Sequence, residues 1–123
     1  KDDTKINMIE ITTSSRYKIN RSLIKHSAEQ ILQDQGVDGT YTLNIVFVGK
    51  TKMKDISNKY KNEDVALPVL SFKYNEPIEG KKLLGEIMIC YPQAVLLAAE
   101  RNRRVDDTIL QLIDHGIKNL LKI

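Results

Sequence analysis

The chain of 123 residues is long enough for one domain with a real core and too short for two comfortable ones. It is 41% apolar and 28% charged, ordinary for a soluble globular protein, and its seven aromatics (five Tyr, two Phe, no Trp) demand an aliphatic core. A net charge of +3 permits a polyanionic partner without requiring one. Cys90 is the single cysteine, which excludes an internal disulfide framework and a multi-cysteine zinc site. The expectation is a reducing compartment, cytoplasmic or, in a eukaryote, organellar, with no disulfide-linked partner. No apolar run approaches the roughly 18–20 residues that span a bilayer, and the charged first residues do not read as a signal peptide, so no membrane partner is expected.

Met8 to Thr13 alternates apolar and polar residues and is rich in β-branched types, which predicts a first strand. After a short loop, Asn20 is placed to cap a helix through Gln35. Leu23, Ile24, Ala28, Ile31 and Leu32 form its apolar stripe, and Gly36 stands just past its end. His26 in this helix has no companion at ligand spacing and reads as a surface residue. Asp38-Gly39 marks a turn. Tyr41 to Val48 is the strongest strand, and its nearly continuous apolar second half predicts cover on both faces. Thr51 is placed to cap a helix to about Lys61, with Met53, Ile56 and Tyr60 inward and Lys52, Lys54 and Lys59 outward.

A loop to Pro68 precedes a third strand, Val69 to Tyr74. A polar connection from Asn75 to Lys82 leads to a fourth, Leu83 to Cys90. Pro92 opens a helix to about Glu100, and Arg101 to Arg104 is a basic connector. Val105 to Ile123 is an amphipathic helix. Its stripe comprises Ile109, Leu110, Ile113, Ile117, Leu120 and Leu121, and Asp106 or Asp107 is placed to cap it. His115 falls almost opposite that stripe, with Thr108, Gln111 and Asn119 on its side. The order βαβαββαα predicts a single α/β domain built on one mixed four-stranded sheet with packed helices, its first two strands parallel. Ile45, Phe47, Val69, Leu70, Ile87 and Ile89 should pack against Ile113 and Ile117.

Gly49-Lys50-Thr51 follows a strand and opens a helix, like the end of a phosphate-binding loop. That pattern needs a second glycine where this chain has Asn44, so the reading fails. With two histidines and no placed nucleophile, a serine–histidine–aspartate set is excluded too.

The segments NKYKNED from Asn58, VLSF at Val69 to Phe72, LLGEIMI at Leu83 to Ile89 and HGIKNLL at His115 to Leu121 follow one another at suitable spacing. In these the chain resembles the YbeY family of metal-dependent endoribonucleases that act in ribosomal RNA maturation. The resemblance spans about Leu43 to Ile123, the first strand and helix agreeing in layout only, and implies one YbeY-like domain over residues 1–123.

The family signature is three histidines, the first two one helical turn apart and the third brought round after a glycine. They grip one Zn²⁺ and leave a fourth position for the water it activates. The resemblance places His115 at the first ligand position and Asn119 at the second, where a carboxamide replaces imidazole. The third position would fall two residues past Ile123. Lys61 stands where the family has an arginine that attracts the scissile phosphate; it keeps the charge and loses the bidentate fork. Leu67 and Pro68 stand where the family has threonine and an acidic or amide residue.

Two functions of different class follow. One is a zinc-dependent hydrolase that cuts single-stranded RNA beside His115, with Lys61 in the catalytic position. The other is a non-catalytic relative that binds RNA or ribosomal components. Lys52, Lys54, Lys61, Arg101, Arg103 and Arg104 could supply the RNA-binding surface, with Lys50 and Lys59 beside them. With few aromatics, phosphate contacts rather than base readout should lead.

Overall fold

Alternating apolar residues and helical stripes place eight elements in a computed structural model that describes residues 8–37, 41–74 and 82–122, the side chains of Lys82 and Leu83 excepted. They are β1 (Met8–Thr12), α1 (Arg21–Asp34), β2 (Tyr41–Val48), α2 (Lys50–Lys61), β3 (Val69–Lys73), β4 (Lys82–Cys90), α3 (Tyr91–Glu100) and α4 (Val105–Leu121). The order is the expected βαβαββαα. The predicted Asp38-Gly39 turn and most of the Asn75 to Lys82 connection lie outside the described residues.

The four strands form one mixed sheet in the order β1-β2-β4-β3. β1, β2 and β4 are parallel, with Ile11 beside Ile45 and Ile45 beside Ile87. β3 runs antiparallel on the outer edge of β4, pairing Val69 with Ile89 and Ser71 with Ile87. Pro68, which has no N–H to give a ladder, stands just before this edge strand.

Strand alternation sends side chains to two faces, and both are covered. On one, Leu43, Ile45, Phe47, Ile87 and Ile89 pack against Ile24, Ala28 and Leu32 of α1 and Ile109, Ile113 and Ile117 of α4. On the other, Val48, Leu70, Met88 and Cys90 enclose Met53 of α2. Burial pushes the Cys90 thiol up, so it stays protonated and serves as a small apolar filler. Leu70 therefore lies beneath α2 and not against α4, because it is one residue out of step with Val69 and Ser71.

Caps are partly as the sequence implies. The Asn20 side chain accepts from the Leu23 N–H at 3.1 Å, and Gly36 follows α1 with φ of 81°. α2 begins one residue before Thr51, with Gly49 as its N-cap. α4 is capped by Arg104 through the backbone alone. Asp106 and Asp107 sit inside its first turn, where their charge meets the positive helix end without a capping bond. Tyr60 is 58% exposed, and Ser57 takes the inward position beneath α2. Thr108, expected on the polar side of α4, is fully buried, and Leu112 is more buried than Leu110. The stripe is wider than an aliphatic count suggests, since α1, α3 and the sheet enclose α4 together.

Two glycines let α4 and the strands come close. A Cβ on Gly116 would lie 2.8 Å from Ile87 Cγ2, so only a bare Cα lets this turn of α4 rest on β4. There the Ser71 hydroxyl of β3 donates to the Gly116 carbonyl at 2.8 Å. Gly85 has φ of 151°, and a Cβ on it would collide with the Phe72 carbonyl and with Leu120 of α4. It sits where the β2–β4 register jumps from Thr42–Leu83 to Leu43–Gly85.

Replacing Ile113 with alanine should lower stability in urea unfolding by about 2–5 kcal/mol, and a loss below about 0.5 kcal/mol would mean the helix packs by another face. Gly85→Ala should cost about 1–3 kcal/mol from backbone strain alone. Ser71→Ala should cost about 1 kcal/mol and shift the His115 ring resonances, which a remote cavity would leave in place.

Candidate functional site

Because Gly116 faces the sheet, His115 one step before it is carried to the rim, on the exposed flank of α4. Asn119 lies one turn further along the same flank. Its amide Nδ2 lies 3.2 Å from His115 Nε2, at hydrogen-bond distance on the exposed face of the helix. On the next flank Lys118 pairs with Asp114 at 3.2 Å. Both are well exposed, so this pair orients side chains more than it stabilises the helix.

Between this flank, β3 and the end of α2 lies a cleft of about 500 Å³, lined by His115, Asn119, Lys61, Ser71, Lys73 and Lys122 among others. Glu63 is the one acidic residue along it among the described residues. A second hollow of about 600 Å³ adjoins it past His115, with Arg101, Gln111, Asp114 and Pro68 in its lining. His115, Leu67 and Val69 border both. An imidazole thus stands between two concavities with four cationic side chains around them, an arrangement suited to attracting a phosphodiester and handling a proton beside it.

Lys61, His115 and Asn119 are brought to one cleft, and Arg101 to its neighbour. The other basic residues are spread out. Lys54 sits 3.8 Å from Asp64, Lys59 lies 5.5 Å from the Tyr60 ring centre, and Lys52 borders a hollow at the far end of α2. Arg103 and Arg104 are exposed in the connector before α4. Leu67 and Pro68 contribute apolar lining.

Lys73, Lys122 and Ser71 were not singled out from the sequence. A signal for Ser71 was there: strand alternation puts it on the same core-facing side as Val69, a polar residue opposite the only glycine of the last helix. For Lys73 and Lys122 nothing in the sequence distinguishes them from other surface lysines.

The donor set bears on metal. A zinc site takes three or four protein ligands of good donor strength. Among the described residues no three His, Cys, Asp or Glu side chains come together to hold an ion. The cleft offers one imidazole and a carboxamide already bonded to it, and these two do not fit a zinc by themselves. Among the described residues no helix is long and apolar enough to cross a membrane.

Comparison with known proteins bears on the whole chain. The family model described as Endoribonuclease YbeY matches residues 7–121. A protein of that name from Dehalococcoides mccartyi (strain 195) is 32% identical over 117 residues, covering 84% of this chain and 68% of its own. One from Sulfurihydrogenibium sp. is 29% identical over 123 residues, covering 98% and 80%. A solution structure from Thermotoga maritima superposes with a TM-score of 0.61 at 23% identity over 94% of this chain and 73% of that one, a likeness of fold. With the family pattern matched from the first strand to the last helix, the chain belongs to the YbeY endoribonuclease family.

Proposed function

We propose that this protein binds single-stranded RNA in the cleft beside His115 and acts in ribosomal RNA maturation, as a YbeY-type endoribonuclease would. The observation that carries the reading is convergence: the C-terminal residue of α2, the edge strand β3 and the C-terminal half of α4 bring Lys61, Lys73, Lys122 and His115 to one concave surface. Lysines are point charges that hold phosphates without reading sequence, so the cleft suits an RNA backbone of varied sequence. His115 can offer a ring N–H to a phosphate oxygen or relay a proton there, with Asn119 beside its Nε2. In the family a bound zinc supplies the activated water. Among the described residues the donors do not make up such a site.

The His115–Asn119 hydrogen bond favours a second reading, a non-catalytic relative that keeps the fold and an RNA- or ribosome-binding surface. It engages Nε2, one of the two ring nitrogens that a metal could take. The two readings share the cleft and differ only in turnover.

In fluorescence anisotropy, binding of a single-stranded RNA should weaken steeply with salt and vary little with sequence. Charge reversal at Lys61, Lys73 and Lys122 together should flatten the log–log salt slope by about two. An unchanged slope would remove these lysines from the RNA contact. Arg101→Glu should weaken binding more than Arg103→Glu with Arg104→Glu. On the non-catalytic reading, elemental analysis of the purified chain should find far less than one zinc per chain, and RNA cleavage should be no faster than in His115→Ala. One zinc per chain that disappears in His115→Ala would establish the hydrolase reading over the non-catalytic one.

A further inference from the structure

β1 and β2 are adjacent parallel strands, but the helices that follow them go to opposite faces of the sheet, α1 beside α4 and α2 over Met88 and Leu70. Where two such connections diverge, a crevice opens beyond the carboxyl ends of the strands, and open α/β sheets bind ligands there. In this chain the crevice is a hollow of about 810 Å³ bordered by the loop after β1, the start of α2 and the first turns of α3.

Its chemistry is of two kinds. Tyr17 and Tyr91 stack with ring centres 4.6 Å apart and planes 16° from parallel, and Tyr91 Oη donates to the Lys18 carbonyl at 3.2 Å, which fixes that ring. Beside them Val95 and Leu96, 37% and 50% exposed, continue the apolar surface. Around this platform stand Arg16, Lys50 and Lys52, all exposed, and among the described residues no acidic side chain lines the hollow.

A link to the His115 cleft runs along α2. Lys50, Lys54 and Lys61 recur at four- and seven-residue steps and so share one stripe of the helix. Lys50 borders the hollow and Lys61 borders the cleft. The eleven steps between them span about 17 Å, or about five nucleotides at the stacked rise of about 3.4 Å per nucleotide.

We propose that the hollow at the ends of β1 and β2 is a second nucleotide subsite, which takes one base of a single-stranded RNA on the tyrosine platform and its phosphate between Arg16, Lys50 and Lys52, while the strand follows the α2 lysines to the His115 cleft. This rests on the RNA reading of the cleft and adds to it a path and a minimum length of bound strand. An acidic peptide with apolar anchors would fit the rim and floor equally well. The lysine row leading to the cleft favours the nucleic acid.

The test uses the full chain and two single-stranded oligoribonucleotides, of about four and about twelve nucleotides, in anisotropy titrations. Reversing Arg16, Lys50 and Lys52 to Glu, all at exposed positions, should weaken the longer RNA by about tenfold or more and the shorter by less than about twofold. Tyr91→Leu keeps the apolar volume and removes the stacking ring, so it should weaken only the longer RNA. Circular dichroism verifies that each variant folds. With 4-thiouridine in the longer RNA, crosslinks should fall on the peptide holding Tyr17 or Tyr91. Longer RNA that is insensitive to these variants but weakened by Lys61→Glu would overturn the second subsite and leave the cleft standing. Failure of the unaltered chain to bind either RNA would overturn both. A peptide alternating Glu and Leu that competes as well as RNA of equal charge would overturn the nucleotide assignment.

Discussion

The distance between α4 and the sheet governs the His115 rim. At Gly116 the helix rests directly on Ile87, closer than any side chain at that position would allow, and the Ser71 hydroxyl closes the gap with a hydrogen bond to the helix carbonyl. That bond also satisfies a partly buried strand hydroxyl and contributes about 1 kcal/mol. The N-terminal half of α4 is enclosed as well, with Thr108 and Ile109 buried, although the Thr108 hydroxyl finds no partner among the described residues, a cost to stability. The helix is therefore clamped at two points. His115 and Asn119, on the flank between the second clamp and the helix end, have little freedom to shift along the sheet. Gly85 brings the third body into register, letting β3 and Leu120 of α4 both press against β4.

The modest net charge hides an uneven distribution. Lys61, Lys73, Lys122 and Arg101 surround two adjoining concavities whose acidic lining, among the described residues, is Glu63 and Asp114. The carboxylates that pair with lysines, Asp64 with Lys54 and Asp114 with Lys118, do so at exposed positions where the attraction is weak and screened by salt. A low global charge is thus compatible with a locally positive groove.

The framework was legible because its signals are periodic. Two-residue alternation in Tyr41 to Val48 and a three-to-four-residue stripe in the last helix are consequences of geometry that the sequence carries openly. Errors arose where packing decides and period does not. Tyr60 lies in step with Met53 and Ile56, yet the small Ser57 fits closest beneath α2 and the bulky ring is left outside against Phe72. Thr108 looks like a polar-face residue until three elements close around it. Leu70 was assigned to the wrong side because a strand with both faces covered has no polar alternation to mark them. At the site, the helix pattern put His115 and Asn119 on one side, the family resemblance pointed to them and to Lys61, and the fold brings the three to one cleft. Lys73 and Lys122 were not singled out, since only the folded chain brings surface lysines from β3 and from the end of α4 to one cleft.

The order of the strands has a consequence for how the chain acquires this structure. β4 is the last strand in sequence but lies between β2 and β3. β1, α1 and β2 can pair as soon as they have been synthesised. Until β4 arrives, however, the inner edge of β2 presents open backbone groups along the apolar run from Ile45 to Val48, and β3 has no neighbour at all. At about 5–20 residues per second that interval lasts a few seconds on the ribosome. Unpaired edges of this kind are where strands from other chains add. The centre of the sheet is therefore the last part to find its partners, although Ile45, Ile87 and Ile89 there are fully buried once the chain is complete.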